Sequence, residues 1–421
     1  MSLRERILAY LSTVARSISP STAAPTVNAW KQPNTNGAGP ARRTLARLKR
    51  GVPPTLGIFR FAVGMHHVEQ RISTLLLPDS RPRWFAVTGE YGEGKSFFRA
   101  LACENALEAG YAVASFDVNR DEGALHQPQR HLSVLLNTLQ SPLPALRDHQ
   151  GILDVLRQWL ITAPGDEFAA TLRRLAAISP ALKSVGDTSR VDWLVANALA
   201  AETSSAFATS PYLFTMLALM SAGDLVARSS YARFSAAYRL QLVLEWLKAT
   251  GHRGLFLFID EIDNVARQIS RNGHPACFRT LAWYCSCPQL QSLRVIFAMT
   301  PEMQQRLDTN SRNYYGEELK SQQTVLPEEC AVYNRWNREA GQTTPSVWES
   351  CVSLNAVQRV ELFRRIAKVH CEAWDYTCVL PEHDLLNLAR SSTFGTTRRW
   401  VRACAQILDV MAQYPSSSRR D

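Results

Sequence analysis

The chain has 421 residues with 46% hydrophobic and 20% charged side chains, which describes a globular protein of about two or three ordinary domains. No apolar run reaches the ~18 residues of a membrane span, and nine cysteines scattered without a framework predict reduced thiols in a cytoplasmic setting. The net charge of +10 is concentrated at the start, where residues 1–60 carry ten Lys/Arg against the single acid Glu5.

Residues 1–18 predict an amphipathic helix with Leu3, Ile7, Leu8, Leu11, Val14 and Ile18 on one face. Residues 19–40, rich in Pro, Ser, Asn and Gly, read as a linker. A short basic helix follows over Ala41–Arg50, stopped by Gly51 and the Pro53-Pro54 pair. Its Arg42, Arg43, Arg47, Lys49 and Arg50 make an arm for an acidic partner, with nucleic acid the first candidate. Val63-Gly64, at the end of an apolar stretch, is a candidate base-side contact for a bound nucleotide.

Trp84–Thr88 predicts a buried strand, and Ser96–Gly110 a helix. Between them, Gly89-Glu90-Tyr91-Gly92-Glu93-Gly94-Lys95-Ser96 fits Gly, four residues, then Gly-Lys-Ser, with Phe97 beyond it. Glycines in such a loop let backbone N–H groups converge on phosphate oxygens. The lysine reaches the outer phosphates, the serine hydroxyl ligates Mg²⁺, and the helix presents its positive end to the anion. Ala112–Asp117 predicts the second strand, and residues 126–250 a large helical insert.

Leu255–Ile259 predicts the next strand, ending in Asp260-Glu261-Ile262-Asp263. Downstream of a phosphate-loop motif, Asp260 is a candidate Mg²⁺ carboxylate and Glu261 a candidate to polarise an attacking water. Leu293–Met299 predicts a further strand, after which Thr300 is placed to sense the outer phosphate. Residues 308–346 read as an exposed loop, Val347–Leu354 as the fifth strand, and Asn355 with Gln358 as a capping box opening a helix. Two more helices follow within Pro381–Met411, around Arg398 and Arg399, before a polar tail at 416–421. These spans divide the chain at 1–40, 41–125, 126–250, 251–354 and 355–421.

These stretches resemble the AAA+ ATPases and, more narrowly, the ATP-binding proteins of bacteriophage-exclusion (BREX) defence systems. The carrying segments are Ala41–Pro54, Val87–Phe97, Val113–Asp117, Gly254–Asp263 and Ala298–Glu302. The resemblance implies an α/β P-loop fold: a mainly parallel sheet flanked by helices, a helical insert and a C-terminal helical lid. It implies ATP and Mg²⁺ as ligands, Lys95 and Ser96 at the nucleotide, Asp260 and Glu261 in hydrolysis, and Thr300 as first sensor. Arg398 or Arg399 is the second sensor, with Arg402 a further neighbour, and Arg306 and Arg312 are candidates for an arginine finger. DNA, other defence-system proteins and further copies of the chain are the implied partners. The 165 residues from Lys95 to Asp260 exceed a minimal AAA+ module. The runner-up reading is a nucleotide-gated scaffold or DNA-binding module with negligible turnover. A kinase is disfavoured for want of an acceptor motif, and a GTPase because no Asn-Lys-x-Asp sequence occurs.

Overall fold

The computed structural model describes residues 38–413, apart from 163–239, 306–347 and the short stretches 55–56, 81, 122, 242, 271–272, 287–289, 352, 379, 381 and 392–393. The expected N-terminal helix, most of the linker, much of the helical insert, the 308–346 loop, Arg306, Arg312 and the tail lie outside these residues.

Five strands form one parallel sheet: β1 (Trp84–Thr88), β2 (Ala112–Asp117), β3 (Leu255–Asp260), β4 (Leu293–Met299) and β5 (Trp348–Ser350). Their order is β2-β3-β4-β1-β5, and every pairing is parallel. The near-continuous apolar runs of β1, β3 and β4 suit strands covered on both faces, and all three are buried along their whole length. The edge strand β5 is only half-buried and three residues long, shorter than the run from 347 to 354 suggested. It is clasped from outside, where Arg71 donates to the Glu349 carboxylate (2.9 Å) and to the Trp348 carbonyl (3.0 Å).

Alternation along the strands sorts their side chains into two cores. Phe85, Val87, Phe256, Phe258, Ile296 and Ala298 meet α2 (His66–Leu75) and α3 (Lys95–Glu108). Trp84, Ala86, Leu255, Leu257, Ile259, Val295 and Phe297 face the other way. There they pack against α4 (Pro128–Asn137), α5 (Ile152–Thr162), helical residues 243–249 and α7 (His274–Ser286), the short α6 (Asn264–Gln268) lying just before α7. The described flanks of the long stretch between β2 and β3 are thus a layer of the sheet. Leu132, Leu135 and Leu136 on α4 are fully buried, each worth about 1.5–3 kcal/mol of transfer free energy.

A third core joins the two ends of the chain. α1 (Ala38–Lys49) buries Ala41, Leu45 and Leu48 against α8 (Ala356–Trp374) and α10 (Thr397–Gln413), with α9 (Glu382–Arg390) alongside. The capping box at the start of α8 is formed, with Asn355 accepting from the Gln358 N–H and Gln358 from the Asn355 N–H. Polar contacts fasten α1 as well. Arg42 donates to the Ala373 carbonyl, 331 positions away, and its guanidinium lies 4.6 Å from the Trp374 ring centroid. Lys49 pairs with Asp409 at 2.7 Å, and Asp409 accepts from the buried His370, which meets the Tyr376 hydroxyl at 3.0 Å.

This network makes a stability prediction. Burial raises the Asp409 carboxyl, but the bonds from Lys49 and His370 outweigh it and hold the group below its ordinary 3.8. A carboxyl depressed by folding stabilises fully above its unfolded value, and the contribution is lost as pH falls through the folded one. Asp409→Asn is expected to cost about 1 kcal/mol at neutral pH. Thermal unfolding at several pH values checks this, the gap from wild type closing as pH falls below about 4.

Candidate functional site

The sheet order decides what comes together. Because β4 lies between β1 and β3, the glycine loop after β1 and the acids after β3 open on one carboxyl edge of the sheet. This is where parallel α/β sheets place their ligands.

In the loop, Gly92 and Gly94 take φ of 89° and 116°, a region that side chains with a Cβ rarely enter. At Gly89 space is the constraint, since a Cβ there would stand 2.9 Å from that of Cys351. Gly94 caps α3 without a side-chain hydrogen bond, so no side chain covers the N-terminal end of that helix at this position. Lys95 Nζ turns back over the loop, donating to the carbonyls of Gly89 and Glu90, 5.2 Å from the Tyr91 ring centroid. The Glu93 carboxylate braces the loop, accepting from the Glu90 N–H (2.7 Å) and from the Ser353 hydroxyl (3.0 Å) just before α8.

At the end of β3, Asp260 is buried and stands in register with Asp117 of β2. Arg99, one turn beyond Ser96 on α3, bridges the two carboxylates at 2.5 Å (Asp117) and 3.6 Å (Asp260). Burial pushes the Asp260 carboxyl up to about 6, with the charge of Arg99 acting in the opposite sense. Glu261 turns the chain sharply at φ 56°, its N–H donating to Asp260 Oδ1 at 2.9 Å. Its carboxylate accepts from Asn264 Nδ2 at 2.8 Å, and the same amide donates to the Val118 carbonyl at 2.7 Å. Asn264 therefore holds Glu261 by a side chain anchored to the chain beyond β2.

The loop and the acids share one cavity of about 490 Å³. Glu90–Phe97, Asp260, Glu261 and Asp263 line its polar end, and Leu48, Val52, Pro53, Phe61, Val63, Leu362 and Val401 its apolar end. Val63 and Gly64 are both in the wall, and a Cβ on Gly64 would strike the Gln358 amide. Of the two arginines left open by the sequence, Arg398 lines the cavity and Arg399 does not. The Arg398 N–H donates to the Gly92 carbonyl at 2.9 Å, so the start of α10 rests directly on the loop.

Thr300 stands differently from its neighbours. It is buried outside the cavity lining, and its hydroxyl and N–H both donate to the Asp263 carboxylate. It faces the site through Asp263. Among the five basic residues of the predicted arm, Arg42 and Lys49 are engaged as described, and Arg47 donates to the Pro53 carbonyl at 2.7 Å. Arg43 and Arg50 remain exposed.

Several wall residues escaped the sequence reading as site residues. Gly51, Val52 and Pro53 were visible as a motif, Arg-Gly-Val-Pro-Pro, whose place in the cavity no local pattern gives. Arg99 carries no motif, and only the strand order brings it to the acids; Asn264 carries none either, although it lies three residues after Glu261.

A parallel five-stranded sheet flanked by helices, with a Gly-Lys-Ser loop and a strand-end Asp-Glu pair in one cavity, defines an α/β protein of P-loop-like architecture. Residues 40–201 match the family model described as BREX system ATP-binding protein BrxC/D. Over that stretch the chain is similar to the BREX ATP-binding proteins, as its motifs led one to expect. No curated protein and no solved structure matches it.

Proposed function

We propose that the chain binds ATP with Mg²⁺ in this cavity and hydrolyses it, as an AAA+-type member of a BREX defence system. The observation that carries the reading is the convergence of Lys95 and Ser96 with Asp260 and Glu261 on a single cavity. The apolar end offers a base a dry wall at Val63 and Pro53, and the loop offers phosphates a positive helix end.

The donor set fits Mg²⁺. Ser96 and Asp260 supply hard oxygens, and a magnesium ion keeps several waters and takes phosphate oxygens for the rest. Among the described residues no cluster of three or more His, Cys, Asp or Glu competes as a richer metal site. Held by Ser96 and Asp260, the ion would supply positive charge toward the phosphate oxygens. Lys95 exchanges its bonds to the Gly89 and Glu90 carbonyls for phosphate oxygens. Glu261 accepts the proton of the attacking water, oriented by Asn264. Arg398 joins α10 to the phosphates, and α8–α10 act as a lid whose closure transmits nucleotide state to DNA, to other defence proteins or to further copies of the chain.

A nucleotide-gated scaffold is the second reading, favoured by the Asn264 amide that already occupies one Glu261 oxygen. Asn264→Ala separates the two. If Asn264 orients a working base, turnover is expected to fall about tenfold, the worth of one hydrogen bond to a charged group, while ATP affinity is unchanged. Steady-state phosphate release beside nucleotide titration measures both.

A further inference from the structure

Among the exposed arginines with no ion pair to the described residues are Arg43, Arg50, Arg398, Arg399 and Arg402. Arg43, midway along α1, and Arg50, just past its end, are seven residues apart and share the side turned away from buried Ala41, Leu45 and Leu48. Arg398 and Arg402 are one turn apart on α10, on the side away from buried Trp400, Cys404 and Leu408. The two groups meet at Gly51. A Cβ there would stand 2.7 Å from Arg398 Cγ and 3.3 Å from Arg402 Cδ. Like charge is crowded here, since burial and then the charge of Arg50 lower the neighbouring Arg47. Asp409, the single acid on α10, is already taken by Lys49 and His370.

We infer that the end of α1 and the start of α10 form one duplex-DNA surface, with Arg50, Arg399 and Arg402 as phosphate contacts. This rests on the DNA-contact part of the reading above and is independent of hydrolysis. It moves the contact from the predicted arm, where Arg42, Arg47 and Lys49 are engaged within the chain, to a joint between two ends of the sequence. Arginines on two adjoining helices suit the repeated charge of a phosphate backbone. Of the exposed aromatics among the described residues, Trp374 lies against Arg42 and Tyr91 against Lys95 and Arg267, so both rings already have cation partners within the chain, which favours duplex over stacking of unpaired bases. Arg398 belongs both to this surface and to the cavity wall, so occupancy of one bears on the other.

The test is fluorescence anisotropy of a short labelled DNA duplex with the full chain, without nucleotide, over a series of salt concentrations. Circular dichroism and thermal unfolding verify that the variants are folded. Arg50→Ala/Arg399→Ala/Arg402→Ala is expected to weaken binding roughly tenfold or more and to make the salt slope shallower by about 2–3. Lys368→Ala, a change away from the surface, is expected to keep both. Wild-type affinity and slope in the triple variant would overturn the assignment. So would a loss seen only when residues 1–37 are deleted, which places the contact in that segment. Failure of the wild type to bind duplex at low salt overturns it without touching the hydrolysis reading. Equal, arginine-dependent binding of duplex RNA or heparin replaces it with a general polyanion site.

Discussion

Lys95→Ala is expected to abolish useful nucleotide binding, raising the ATP dissociation constant about a hundredfold, while the fold survives. The argument starts from what the ammonium does now. It is only partly buried and donates to two loop carbonyls that water can also serve, so its loss opens no cavity in the sheet. Toward a triphosphate the same group makes charge-assisted bonds worth about 1.5–3 kcal/mol each. Two such bonds account for the predicted loss. Titration with a fluorescent ATP analogue, beside thermal unfolding, gives the two numbers. A large fall in unfolding temperature with unchanged affinity would assign Lys95 to the fold alone.

Glu261→Gln is the second large effect, and it falls on the chemical step. The side chain keeps its size and its contact to Asn264, and the N–H that donates to Asp260 is untouched. Glutamine cannot take a proton from water. General-base catalysis contributes about 10²–10⁴ in rate, so the single-turnover rate should fall by that factor with ATP affinity within about twofold of wild type. The left-handed backbone at Glu261 makes the position sensitive to backbone change, which is why an isosteric substitution is the informative one. Equal rates in the two proteins would remove Glu261 from the chemistry and leave the scaffold reading.

How much of this was legible beforehand depends on whether the cause was local. Trp84–Thr88, Leu255–Ile259 and Leu293–Met299 were readable because strands buried on both faces need near-continuous apolar runs. The Asn355–Gln358 box was readable because both of its bonds close within four residues. Strand order was not, since nothing in the run of β4 says that it inserts between β1 and β3. For the same reason Arg99 and the Asn264 anchor to Val118 went unnoticed. The basic helix was read as an arm from its charge, yet its partners Ala373 and Asp409 lie at the far end of the chain. Arg398 and Arg399 could not be separated by sequence because neighbours on a helix differ only by a turn of about 100°, and packing against Gly51 and Gly92 is what puts Arg398 in the cavity wall.

The central claim is hydrolysis at this cavity, and steady-state phosphate release from ATP by the full chain, with Mg²⁺, with and without duplex DNA, tests it most directly. The account predicts turnover by the wild type that EDTA removes and that Glu261→Gln lacks. Saturable ATP binding with phosphate release at the level of Glu261→Gln in every condition would contradict it.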